Sequence, residues 1–292
     1  MRLTTTNATL ELATTDLEVG YVVRLPVTDL TGATPGTFTV PARLLAEFVG
    51  TLPNQPVTLR MDRGILRVEC GRAKAQIKGI ESDDFPQMPE VDSVEPTTEV
   101  DRDVLSMALA LTVFTTAPGA DRPVLTGVHL ADGQSFVAEA SDGTRLGRYA
   151  MTLEGGVATW DVIVPVEGAR ELLRLCEADQ ATIPLWLLPS TQNPAHLVAR
   201  IGSDEPGASS TTLAIRLLAG QFPDLTRAIP QSTLTTVTAS RLALIAAVRQ
   251  CSILAEQTAK GFRLVNVDVS GEGDSGLLML RGIEKMTGEG AA

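Results

Sequence analysis

Val162-Ile163-Val164-Pro165, leading into Ala169-Arg170-Glu171-Leu172-Leu173, is the second occurrence of a pattern first met at Phe38-Thr39-Val40-Pro41-Ala42-Arg43-Leu44-Leu45. Each time a short apolar run meets Val-Pro and a helix begins. Proline suits that place because its missing N–H would have found no intrahelical acceptor. Behind the first Val-Pro, Leu44, Leu45, Phe48, Val49 and Leu52 recur at helical spacing; behind the second, Leu172, Leu173 and Cys176 do the same.

The pattern extends in both directions. Thr15-Asp16 follows the alternating Leu10-Glu11-Leu12, and Ser141-Asp142 follows Phe136-Val137-Ala138 about 126 residues later. Val57, Leu59 and Met61 alternate up to a turn at Asp62-Arg63-Gly64, and Leu66, Val68 and Cys70 alternate after it, which predicts a hairpin. Phe85-Pro86 closes the first repeat and Phe222-Pro223 the second. Helices are predicted from about Val100 to Thr115 and again up to Leu254, with Asp101 or Asp103, and Ser240, as caps. Gly127-Val128-His129-Leu130 is matched by Gly261-Phe262-Arg263-Leu264. A unit therefore reads helix, strand pair, helix, strands, Phe-Pro linker. By this count the first repeat is expected to lack roughly 27 residues, its opening helix and strand, and the third to be about half a unit. The expected domains are 1–92, 93–230 and 231–292.

With 44% hydrophobic and 20% charged residues the chain is globular, and 4% aromatics makes its core aliphatic. A formal charge of −11 argues against a surface coated for nucleic acid but leaves room for a local basic stripe. Cys70, Cys176 and Cys251 are odd in number and dispersed, which suits a reducing cytoplasm. The opening Met1-Arg2-Leu3-Thr4-Thr5-Thr6 has no apolar signal region, and no run approaches a membrane span, so no membrane contact is expected.

Catalytic chemistry finds little support. Gly271-Glu272-Gly273-Asp274-Ser275-Gly276 has the spacing of a dinucleotide fingerprint, but Glu272 and Asp274 would repel a pyrophosphate and no helix follows; a turn is expected. His129 and His196 are isolated, without Cys or His at metal-ligand spacing. Asp83-Asp84 reads as a solvated turn rather than a metal site. No metal, no cofactor and no enzyme are expected. An unrelated hydrolase or transferase on duplicated α+β units would need a cleft with perturbed acids or a metal.

Taken together, Thr15-Asp16-Leu17-Glu18, Phe38 to Arg43, Gly71-Arg72, Asp84-Phe85-Pro86, Arg122 to Val128, Ser141 to Leu146, Phe222 to Pro230 and Ser252-Ile253-Leu254 resemble the bacterial sliding-clamp family, the beta subunit of DNA polymerase III. The resemblance implies an α+β fold of repeated DNA-clamp domains, antiparallel sheets outside and helices lining a pore. It implies a non-catalytic processivity factor that encircles duplex DNA and tethers the replicative polymerase. The alternative is a clamp-like partner-binding module unable to close a ring.

Phosphate contacts without base readout let such a ring slide. The implied DNA-binding residues are Arg43, Arg102, Arg122, Arg170, Arg174, Arg241 and Arg249. Where the family presents a basic pair after Val164-Pro165, this chain has Val166-Glu167, which removes phosphate contacts and adds repulsion. The implied groove for a short peptide with Leu and Phe anchors, carried by polymerase and clamp-loader subunits, comprises Leu125, Ser141, Gly143, Arg145, Leu146, Pro223, Arg227 and Ala228. Leu125 and Leu146 are alternatively ordinary core. The family completes this groove with an apolar C-terminal segment not found here, so a half-built groove is expected. The implied homodimer interface comprises Phe48, Leu52, Arg72, Lys74 and Ile77 on one side and Ile253 and Leu254 on the other, unless Phe48, Leu52 and Ile253 are buried in their own domains.

Overall fold

A computed structural model describes residues 1–6, 9–27, 36–79, 84–119, 121–133, 135–152, 160–189, 196–203, 205, 207–255, 263–271, 276–284 and 288–291. Strands β1 (Arg2–Thr5), β2 (Thr9–Thr15), β3 (Val19–Pro26) and β4 (Gly36–Thr39) lead into α1 (Ala42–Gly50), then β5 (Thr58–Asp62), β6 (Ile65–Cys70) and β7 (Ala73–Lys78). After β8 (Thr98–Asp101) and α2 (Arg102–Thr112) the same order returns. It runs β9 (Gly127–Asp132), β10 (Ser135–Ser141), β11 (Leu146–Thr152), β12 (Trp160–Pro165), α3 (Val166–Leu175), β13 (Thr182–Leu188), β14 (His196–Gly202) and β15 (Ser210–Arg216). Then come α4 (Arg241–Leu254), β16 (Val265–Ser270), β17 (Leu277–Glu284) and β18 (Gly288–Ala291).

Local chemistry accounts for the element ends. Pro41 and Pro165 stand immediately outside α1 and α3, in the flanking position rather than the first turn; their extended ψ turns the incoming strand into the helix. The Asp101 carboxylate caps α2 by accepting from the backbone N–H of Asp103 and Val104 at 2.9 and 3.0 Å. Arg63 and Gly64 both have positive φ, which matches the two-residue turn joining β5 to β6.

Two compact units result, Met1–Asp224 and Leu225–Ala292. In the first, one sheet of eight strands runs β4-β1-β2-β3-β15-β14-β13-β8, so both repeats share it through the β3–β15 pairing. Paired residues lie on the same face of a sheet. Phe38, Leu3, Leu12 and Val23 are linked by register, and from β3 Tyr21 continues the row to Leu213, Ala199 and Leu185. Against one end of this face α1 packs Leu45 with Leu3, Val40, Leu66, Val68 and Ile77. Against the other α3 packs Leu172 with Leu213, Ala199 and Leu185. The two helices therefore lie on the same face of one continuous sheet. A second sheet, β11-β10-β9-β12, closes over α2, where Leu105 and Leu109 meet Leu130, Phe136 and Ala138. A fully buried leucine of this kind contributes about 1.5–3 kcal/mol.

The connector between the repeats crosses the opposite face of the eight-stranded sheet. Val91 is buried with Trp186, Val198 and Ala214, and the Trp186 indole donates to the Val94 carbonyl at 2.7 Å. Met88 occupies the space that a side chain at Gly20 would need.

In the second unit β16 and β17 pair as adjacent antiparallel strands, with β18 beyond, and α4 packs on β17 with Cys251 buried. Of the Gly271–Gly276 string, residues 272–275 lie outside the described residues; among the described ones it is β17, antiparallel to β16, that follows Gly276. Gly261 and Phe262 also lie outside them, as does Asp83.

Candidate functional site

Helix faces carry most of the predicted arginines, and acidic neighbours hold four of them. Arg43 on α1 pairs with Glu47 one turn on at 2.7 Å. On α3, Arg170 pairs with Glu167 and Arg174 with Glu171, each at 2.7 Å. Arg102 opens α2, reaching Asp103 at 2.9 Å and the Ala178 carbonyl at 3.3 Å. Glu167, expected from the sequence to repel phosphate, is here the partner of the nearest cation, Arg170. Exposed pairs of this kind contribute about 0–1 kcal/mol, so a phosphate competes with them readily. Arg122 is exposed beside the 3₁₀ turn Pro123–Thr126. Arg241 and Arg249 are exposed on α4 and form no ion pair among the described residues.

The loop from β10 to β11 is braced from within. Ser141 Oγ accepts from the Gly143 N–H at 3.0 Å and donates to the Arg145 carbonyl at 2.7 Å. Asp142 accepts from the N–H groups of Thr144 and Arg145, both at 2.8 Å, and holds the Arg145 guanidinium at 3.0 Å through Nε and 2.9 Å through a terminal nitrogen. Gly143 has φ +84, which glycine adopts without steric cost. Burial pushes the Asp142 carboxyl upward, but the bonds from Arg145 and Thr144 outweigh it and hold the group below the ordinary carboxylate value. Leu125 is buried at 5% exposure, Leu146 is half-buried and Pro223 is exposed. These residues, with Ser141, Gly143 and Arg145, all belong to the Met1–Asp224 unit; Arg227 and Ala228 are exposed in the other.

Residues expected at a subunit interface divide by environment. Ile77, at 3% exposure, is interior to the α1 core and presents no surface there. Phe48 and Leu52 lean half-buried on the same core. Arg72 is exposed, and Lys74 is exposed beside Glu69 at 3.4 Å. Ile253 and Leu254 are exposed at 72% and 40%.

Two charged clusters escaped the sequence reading. His129 is not isolated: Nε2 lies 3.0 Å from Asp161, Nδ1 lies 3.8 Å from Glu139, and the ring stacks on Phe222. Glu139 faces Arg148 at 2.6 Å. On the connector side of the large sheet, Glu11 lies 3.2 Å from both Arg2 and Arg24, while Asp92 lies 2.9 Å from Arg24 and 2.6 Å from Arg200. Phe85 caps Arg2 at 5.0 Å and Trp186 flanks Arg200 at 5.8 Å, both within cation–π range. A cleft of about 520 Å³ opens among them, lined by Arg2, Glu11, Arg24, Met88, Asp92 and Arg200. The available signal was charge on the outward positions of β2 and β3, opposite the apolar row. Among the described residues no group of acidic, His or Cys side chains is arranged to hold a metal, and no helix is long and apolar enough to cross a membrane.

Comparison with known proteins covers both repeats of the first unit. Residues 1–89 match the family model for the N-terminal domain of the DNA polymerase III beta subunit, and residues 99–224 match the model for its central domain. The beta sliding clamp of Synechococcus elongatus is 32% identical over 240 residues, covering 78% of this chain and 59% of that protein. The beta sliding clamp of Pseudomonas putida is 30% identical over 260 residues, covering 87% of this chain and 66% of that protein. The chain thus spans less than two thirds of the length of these relatives. A crystal structure of the Pseudomonas aeruginosa sliding clamp bound to griselimycin superposes with a TM-score of 0.82 at 25% identity, covering 100% of this chain and 74% of that one.

Proposed function

Because the chain belongs to the DNA polymerase III beta-subunit family, we propose that it serves as a sliding clamp, a non-catalytic processivity factor that surrounds duplex DNA and tethers the replicative polymerase. The observation that carries this reading is the single sheet crossing from one repeat to the next with α1 and α3 on the same face. Repeating that arrangement puts sheet outside and helices inside. The helices then offer Arg43, Arg102, Arg170 and Arg174 to phosphates without reaching base edges, which permits movement along any sequence. Arg122, Arg241 and Arg249 extend the same role. The domains are 1–92, 93–230 and 231–292, and two chains join through Phe48, Leu52, Arg72 and Lys74 of one and Ile253 and Leu254 of the other.

Polymerase and clamp-loader subunits bind through a short peptide whose Leu and Phe anchors meet Leu125, Leu146 and Pro223, with Ser141, Gly143 and Arg145 around them. The protein acts in the cytoplasm, in keeping with three buried free thiols. Light scattering on the purified chain, followed by retention on circular duplex DNA, tests the proposal. A dimer of about 62 kDa, twice the 30.9 kDa chain, that stays on the circle and runs off after linearisation supports it. A monomer that binds the peptide but is not retained on DNA overturns encirclement and leaves a partner-binding module.

A further inference from the structure

We propose that Asp142 is the positioning residue of the peptide groove, setting the place of Arg145 at the rim without itself touching the peptide. The inference rests on the groove reading above.

Its basis is the contrast between Asp142 and its neighbours. Gly143, Thr144 and Arg145 are exposed, yet the Asp142 side chain is only 3% exposed. A buried carboxylate in a surface turn is costly unless donors surround it. Here they come from one short stretch: the backbone N–H groups of Thr144 and Arg145, and the Nε and terminal nitrogen of Arg145. The same carboxylate therefore fixes both the backbone that carries Arg145 and the plane of its guanidinium. A flexible arginine loses rotamer entropy on meeting a ligand. Holding it in advance reduces that loss, so affinity gained through Arg145 depends on Asp142. Ser141 braces the other side of the turn through the Arg145 carbonyl and does not reach the guanidinium. The division of labour makes Asp142 separable from a purely structural residue.

The test is a double-mutant cycle on the full chain, with a synthetic peptide bearing Leu and Phe anchors as probe and fluorescence anisotropy as readout. Asp142→Asn keeps the one oxygen that accepts both backbone N–H groups and replaces the charged oxygen that grips Arg145 with an amide nitrogen. It is expected to weaken binding about 5- to 10-fold, Arg145→Ala by at least as much, and the double variant no further than Arg145→Ala. The Arg145 Nε–H is expected to exchange more slowly in the parent than in Asp142→Asn, and so to report loss of the grip independently of affinity. If Asp142→Asn binds as the parent does while Arg145→Ala is weakened, the positioning role is overturned and the groove stands. Additive losses in the double variant overturn it equally, since Asp142 would then act apart from Arg145. Failure of the parent to bind, or full affinity in both Arg145→Ala and Leu146→Ala, removes the groove reading itself.

Discussion

The Phe222 ring lies flat on the His129 imidazole, with centroids 4.8 Å apart and planes 13° from parallel. The phenylalanine that closes the second repeat is thereby anchored to β9, immediately before Pro223 and the end of the first unit. Burial pulls the His129 pKa down, but the carboxylates of Glu139 and Asp161 outweigh it and the net displacement is upward. Arg148, beside Glu139, is the opposing cation in this cluster.

A histidine whose folded pKa exceeds its unfolded value of 6.5 stabilises the fold fully below that value and loses the contribution as pH rises through the raised one. Urea unfolding between pH 6 and 8 is therefore expected to include a component that declines with pH. His129→Gln is expected to flatten it. An unchanged slope in the variant would place the titration elsewhere.

Asp92 behaves in the opposite sense. Hydrogen bonds from Arg24, and then from Arg200, hold its carboxyl below the ordinary value of 3.8 against the effect of burial. Its contribution is present above that value and lost as pH falls through the lowered one. With its side chain 44% exposed, the clasp is screened, and Asp92→Asn is expected to cost about 1 kcal/mol. Hydrogen exchange should rise along residues 85–97, where the connector crosses the sheet.

On α3, Glu167→Lys frees Arg170 and adds a cation beside it. Affinity for duplex DNA is expected to rise, and the salt dependence to steepen by about 1–2 in log–log slope. Titrating labelled duplex at several salt concentrations measures both. Equal slopes for parent and variant would mean that this face of α3 does not meet DNA.

Leu172 is fully buried between the sheets, so Leu172→Ala is expected to destabilise the Met1–Asp224 unit by about 2–5 kcal/mol through lost burial and the cavity left behind. Leu173→Ala, at a partly buried position on the same helix, is expected to cost less. Denaturant midpoints of the two variants check the order.

Much of the fold follows from local pattern. The Val-Pro entries to α1 and α3, the hairpin at Asp62-Arg63-Gly64 and the Asp101 cap are decided by residues within a turn of one another, and alternation or helical spacing announces them. The repeat then set the order of elements and the correspondence of Ser141-Asp142 with Thr15-Asp16.

Tertiary structure alone decided which distant strands and charges meet. That β3 pairs with β15 depends on free edges and registers far apart in the chain, and neither carries a local mark. His129 looked isolated because Asp161 and Glu139 come from other strands, and Asp92 gained its meaning only when Arg24 and Arg200 were brought to one face. Ile77 is interior because α1 folds back over β7, which its own alternation does not tell. Sequence determined the elements through short-range sterics and hydrogen bonding; the tertiary fold decided the electrostatics, because charge pairs act through space between strands that the chain separates.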